Sequence, residues 1–251
     1  MDERRILETA MLAGEIMSAS GAESYRVEDT MNRILHTADA KSAEAFAVVT
    51  GVFATLETEN EVVTRVKRIA HRDINLAKIA EVNEISRLYC QNQITLETAY
   101  DRLQHFTVRS YSKSIHNLAI LLLVLSFSFL LGGGIQEGVL ASINGVLLIG
   151  ALLLVDRAQV TPFLRTLFAS TVIAFGASFL KSFMMKDAVL DNVIIASMMP
   201  LVPGTAITTA IRDTLNGDYM SGGSRALESV VIAVSIALGV GAGLWLWRAL
   251  P

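Results

Sequence analysis

The sequence predicts a membrane protein in two parts, a small cytoplasmic α+β domain followed by an all-α bundle of five transmembrane helices. Hydrophobic residues fill 52% of the 251 positions and charged ones only 18%, which is too apolar for an average soluble domain. The charges crowd into residues 1–113, whereas residues 114–251 hold several long apolar runs. Within the fourth of these runs stands Pro200-Leu201-Val202-Pro203-Gly204, so the fourth span is expected to be a broken helix.

From Arg4 to Ser20 the apolar residues Ile6, Leu7, Ala10, Met11, Ile16 and Met17 recur at helical spacing, and Ser20-Gly21 closes the segment. Asp2, Glu3, Glu8 and Glu15 argue against a signal peptide there. A second helix is predicted from Ser24 to Ala38, with Val27, Met31, Ile34 and Leu35 on one face. Its other face, with Glu23, Arg26, Asp29 and Arg33, reads as solvated, a docking surface being the alternative. Phe46 to Leu56 is rich in Val, Phe and Thr and apolar on both alternating sets, which predicts one strand covered on both faces. After Glu57-Thr58-Glu59-Asn60, Val62 to Ile69 alternates and predicts a half-exposed partner strand. Ile74 to Gln91 returns to helical period behind Asp73 as N-cap, and a last short helix starts near Thr95.

Chemistry in this half is sparse. It has no Gly-x-Ser-x-Gly, His-Glu-x-x-His, Cys-x-x-Cys or P-loop pattern, so no enzyme reading has a motif behind it and no cofactor is expected. His36, His71, His105 and His116 are too scattered for a local metal motif. A net charge of −3 with no basic stripe offers nothing to nucleic acid. The single cysteine, Cys90, fits a reducing compartment.

The predicted spans are 115–131, 138–155, 164–180, 192–211 and 229–247. With the N-terminal domain inside, the cytoplasmic side carries Arg102, Arg109, Lys113, Arg157, Arg165, Arg212 and Arg225, against Lys181, Lys186 and Arg248 outside. Small residues one turn apart (Ser170, Ala174, Ser178; Gly239, Gly243) suit close helix packing, within the chain or between subunits.

The break suggests a solute site. Pro200 and Pro203 free the carbonyls of Ala196 and Met199, and a second half-helix from Gly204-Thr205 would aim its N–H groups and positive dipole end at a carboxylate. Candidate substrate contacts are Pro200, Pro203, Gly204, Thr205, Thr208, Thr209 and the mid-span Asn144. The threonines have an ordinary alternative, bonding back to their own helix. Asp213 and Asp218 are candidate proton-coupling carboxylates, or else interfacial partners of Arg212 and Arg225.

Three stretches, Ser20-Gly-Ala-Glu-Ser-Tyr-Arg-Val-Glu28, Asp73 to Ile85, and Pro200-Leu-Val-Pro-Gly204 leading to Arg212-Asp213 and Gly217-Asp218-Tyr219, resemble the threonine/serine exporter family, specifically its N-terminal, YjjP-like half. The resemblance implies an inner-membrane secondary exporter of small carboxylate metabolites, threonine and serine or C4-dicarboxylates such as succinate, driven by the proton gradient. It also implies a separate YjjB-like membrane subunit as partner; the spans themselves call for the lipid bilayer, and the small-residue spacing allows a homo-oligomeric contact as the alternative to packing within the chain. Where the family pattern has a glycine after the second helix, this chain has Asp39-Ala40-Lys41. The alternative from another class is a membrane-anchored regulatory or scaffold protein acting through its soluble domain, although an anchor needs no broken helix.

Overall fold

The computed structural model describes residues 3–107 and 111–250. Arg109, counted above for orientation, lies outside them. In chain order the elements are α1 (Glu3–Ala19), α2 (Ser24–Leu35), β1 (Ser42–Val48), β2 (Gly51–Glu57), β3 (Val62–Arg68), α3 (Leu76–Cys90) and α4 (Leu96–His105). They continue with α5 (Lys113–Leu130), α6 (Ile135–Arg157), α7 (Pro162–Met184), α8 (Leu190–Met198), a 3-10 turn (Met199–Leu201), α9 (Gly204–Leu215) and α10 (Tyr219–Arg248). The chain divides into two compact units, Met1–Arg109 with Thr205–Ala226, and Ser110–Gly204 with Leu227–Pro251. One boundary falls at the proline break itself.

In the first unit α1 and α2 supply most of the large, fully buried side chains of the core. Ile6, Leu7, Met17, Met31, Ile34 and Leu35 are fully buried, and the helices meet closely at Gly14, where an added Cβ would run into Met31. The sheet is antiparallel in the order β1-β2-β3, with Phe46 opposite Phe53 and Phe53 opposite Val66. Here the structure corrects the sequence reading. The run from Phe46 to Leu56 is two strands joined at Val49-Thr50, and the sheet has three strands instead of two. The lack of alternation that suggested two covered faces has another cause. Val52, Ala54 and Leu56 face the core, while Phe46 and Phe53 form an exposed aromatic pair with ring centroids 6.1 Å apart.

The outer edge of β1 is closed by side chains. Ala45 N donates to Asn32 Oδ1 and Ala47 N to Glu28 Oε1, both at 2.9 Å. Four residues of α2 advance about 6 Å, close to the roughly 6.6 Å between alternate strand residues, so two side chains four apart serve two amides two apart. A second correction concerns α3, whose N-cap is Asn75, with Oδ1 accepting from Lys78 N at 3.0 Å. Asp73 instead turns its carboxylate onto the next amide, Ile74 N, at 2.8 Å.

In the second unit the buried faces of α5, α6, α7, α8 and α10 enclose two apolar clusters, one around Leu140, Ala174 and Val193, the other around Leu148, Ile173 and Leu201. Four described helices, α5, α6, α7 and α10, are long and apolar enough to cross a membrane, and a fifth span results if the bent pair α8 and α9 is counted as one. α6 and α7 run 23 residues each, beyond the apolar stretches in the sequence, because Glu137, Arg157 and Lys181 interrupt hydropathy without interrupting the helix. The small-residue stripes meet one another inside the chain. A Cβ on Gly239 or Gly243 of α10 would run into the Leu167 or Thr171 carbonyl of α7, beside Ser170 and Ala174. At the other end of this unit Glu137 Oε1 accepts from Val189 N and its Oε2 from Gly134 N, both at 2.8 Å, so one carboxylate caps α6 and anchors the entry to α8. Asn192 fastens α8 to α5 in the same way, exchanging bonds with Ser128 Oγ at 2.8 Å and Ser128 O at 3.1 Å.

The α7–α10 contact makes a direct prediction. Gly243→Leu should lower the stability of the detergent-solubilised chain by about 1–3 kcal/mol through overpacking. Gly241→Leu, where an added Cβ meets nothing within 4 Å, should be nearly neutral in the same thermal-unfolding measurement.

Candidate functional site

The proline break heals its own carbonyls. Met199 N–H donates to the Ala196 carbonyl, and Val202 N–H to the Met199 carbonyl at 3.2 Å, so a tightened 3-10 turn satisfies both groups that the prolines release. Val202 is extended, with φ −67° and ψ 127°, and α9 starts afresh at Gly204. The Gly204 N–H donates to the Val202 carbonyl at 2.9 Å, so what the break leaves for a ligand is the amino end of α9 from Thr205 onward, where first-turn N–H groups point out of the helix. An added Cβ at Gly204 would meet nothing within 4 Å, Thr205 and Thr208 are exposed, and Pro200, Pro203 and Thr209 are half-buried. Thr208 Oγ1 donates to Thr205 O at 3.0 Å within the same turn.

Asn144 is held elsewhere. It is fully buried in α6, with Nδ2 donating to Ile173 O of α7 at 3.1 Å. Its Oδ1 occupies the space beside Gly176, where a Cβ would come within 2.7 Å. Its amide joins α6 to α7.

Asp213 and Asp218 lie together. Asp218 N donates to Asp213 O at 2.9 Å across the turn at Gly217, whose φ of +88° needs a glycine. The stretch from Arg212 to Arg225, which lies between the fourth and fifth predicted spans, is thus mostly helical, with only Asn216–Asp218 between α9 and α10. Asp218 caps α10, its Oδ1 accepting from Ser221 N at 3.0 Å.

Asp213 is completely buried, and its partners come from α2 and α10 within the same unit. Its Oδ1 accepts from Ser24 N, the first residue of α2, at 3.1 Å. Arg225 of α10 approaches its Oδ2 at 3.0 Å and donates from Nη2 to Ala22 O at 2.8 Å. Next to this pair Arg212 bonds Glu23 Oε1 at 2.8 Å, with Arg26 at 3.4 Å from the other oxygen. Glu23, assigned by sequence to a solvated face, is in fact buried. Burial works against its charge, but the backbone bond, Arg212 and Arg26 outweigh it and hold the carboxyl below its ordinary range.

The turn that presents Ala22, Glu23 and Ser24 is backed by the entry to α3. Asp73 N donates to Ala19 O at 2.9 Å and Asn75 N to Ser20 O at 3.1 Å. Gly21 makes the turn possible with φ +82°, its Cβ position facing the Ile74 side chain at 3.5 Å. The stretches around residues 20–28, 73–75 and 212–225, remote in sequence, therefore converge on one buried ion pair. Among the described residues no group of three His, Cys, Asp or Glu side chains is arranged to hold a metal ion.

A family model described as "Putative threonine/serine exporter" matches residues 8–247. The chain belongs to the threonine/serine exporter family. No curated protein and no solved structure matches it. The family match and the apolar helices make the chain a multi-pass membrane protein of an exporter family, not of an enzyme family. The stretches by which the sequence resembles threonine/serine exporters are the ones that meet at Asp213, apart from the proline break, from which α9 leads directly to it.

Sequence reasoning paired Asp213 with either Arg212 or Arg225; the structure selects Arg225 and gives Arg212 to Glu23. Ala22, Ser24 and Glu137 were not singled out, because two act through backbone groups and the third through a helix end. Arg225→Met, which strands the Asp213 carboxylate without a cation, should cost about 3–5 kcal/mol. Hydrogen exchange should then show the Ala22–Ser24 amides losing protection while the α6–α7 amides keep theirs.

Proposed function

We propose that this chain is the YjjP-like subunit of a proton-driven exporter in the cytoplasmic membrane. It moves threonine and serine, or C4-dicarboxylates such as succinate, out of the cell together with a YjjB-like second membrane subunit. Its N-terminal domain, residues 1–113, faces the cytoplasm, as the distribution of Lys and Arg around the spans favours. The solute carboxylate docks at the amino end of α9, on the N–H groups of Thr205 and its neighbours, with Thr208 and Thr209 bordering it. Pro200 and Pro203 create that helix end, and Gly204 keeps it clear. Asn144 contributes by fixing α6 against α7. Asp213 and Asp218, at the far end of α9, couple the solute site to the proton gradient.

The observation that carries this reading is the open amino end of α9 inside a broken apolar span, in a chain of the threonine/serine exporter family. A site exposed on this chain suits completion by a second subunit. Because the Cβ position of Gly204 is empty, Gly204→Leu should leave the protein folded in the membrane while filling the docking space. In proteoliposomes holding both subunits, efflux of threonine, serine or succinate should fall at least tenfold, a loss of about 1.4 kcal/mol or more in binding. Undiminished efflux by a well-inserted Gly204→Leu protein would remove the docking site from α9.

A further inference from the structure

The outer face of the sheet in the first unit carries an exposed apolar row. Phe46, Phe53 and Val66 stand side by side across the three strands, with 50%, 37% and 62% of their surface exposed. Water contact at a contiguous row of this kind is unfavourable, and such patches mark contact surfaces. We propose that this face binds the same face of a second copy of this chain.

The charges beside the row select that occupant. Strand register puts Glu44, Thr55 and Thr64 next to the row on one side, and Val48, Gly51 and Arg68 on the other. Glu44 on β1 and Arg68 on β3 therefore stand at opposite corners of the patch. Both are exposed, and among the described residues neither forms an ion pair. On the opposite face of β3 the charges are matched within the chain, Arg65 with Glu8 at 3.2 Å and Lys67 with Glu15 at 3.1 Å. Glu44 and Arg68 cannot be matched that way. Two strand spacings across and four residues along set their Cβ atoms about 16 Å apart, beyond the combined reach of the two side chains.

A two-fold contact must be complementary to itself, and one acid and one base at opposite corners meet that condition. An axis through Phe53, lying between the two faces at right angles to the line from Glu44 to Arg68, exchanges the corners. It sets the Glu44 of each copy against the Arg68 of the other and brings the two Phe46–Phe53 pairs together. The strands of the two copies then cross at about 70°, near the orthogonal class of sheet packing. Three strands of seven residues measure about 14 by 23 Å, roughly 300 Å² in plan, which is small beside the ~800 Å² per partner of a standard interface. Pairing through this face alone is therefore weak in free solution. Chains held in one membrane by their own helices meet at a far higher effective concentration, which is where the contact operates.

Energy transfer between donor-labelled and acceptor-labelled full-length chains, diluted in lipid vesicles, tests the pairing. Wild type should show transfer above the random background, and Phe53→Asp, changed at a surface position, should lower it several-fold without altering the circular dichroism. Glu44→Arg and Arg68→Glu each put like charges at both corner contacts, so each should lose transfer with itself. A mixture of donor-labelled Glu44→Arg and acceptor-labelled Arg68→Glu puts opposite charges at both contacts, and transfer should return close to the wild-type level. Raised salt should weaken the wild-type signal. Wild-type transfer no higher than random, transfer untouched by Phe53→Asp, or a mixture no better than either variant alone overturns the assignment. If the proposed second subunit binds wild type but not Phe53→Asp, and wild-type copies show no transfer, the face belongs to that subunit and the pairing is wrong.

Discussion

A buried carboxylate without a cation is among the costliest things a protein can contain, and the first unit is arranged so that Asp213 is not left in that state. Meeting the demand requires Arg225 to come from α10 and the Ser24 N–H from α2, and it therefore fixes the turn that precedes α2. That turn in turn requires Gly21 in a left-handed conformation and the Asp73 and Asn75 amides behind it. One electrostatic constraint thus explains why residues separated by almost the whole chain must be what they are. It also explains why the polar stretch after the broken helix folds with the N-terminal domain.

The break divides the labour along the chain. Before it, α8 is fixed at its start by Glu137 and Asn192, within a unit whose helices interlock through Gly239 and Gly243. After it, α9 is fixed at its far end by Asp213 and Arg212. Between the two, the 3-10 turn satisfies its own carbonyls, so the prolines cost the structure little and leave a clean helix amino end. For a family that exports threonine and serine, a helix end of this kind is the feature with the most direct chemistry for a carboxylate-bearing solute.

Much of this was legible in the sequence, for identifiable reasons. Long apolar runs and helical periodicity declare themselves locally, so the membrane helices and α1 to α4 follow from pattern alone. Helix ends were less accessible, since Glu137 and Lys181 look like span boundaries in hydropathy yet lie inside continuous helices. The strand reading failed at Thr50 because exposed Phe46 and Phe53 imitate a buried face. The pairing of Asp213 with Ser24 could not be read at all, because a backbone amide carries no side-chain signature. Glu23 was misread for a related reason: a glutamate near arginines at helical spacing looks solvated until Arg212 arrives from a distant part of the chain.

What remains is whether the amino end of α9 receives the solute. Hydrogen exchange on the chain reconstituted in nanodiscs with the proposed second subunit, with and without threonine, serine or succinate, asks this amide by amide. The account predicts new protection at Thr205 to Ile207 when the transported solute is added, weakened in Gly204→Leu. Solute-dependent protection confined to other helices, with these amides unchanged, would contradict it.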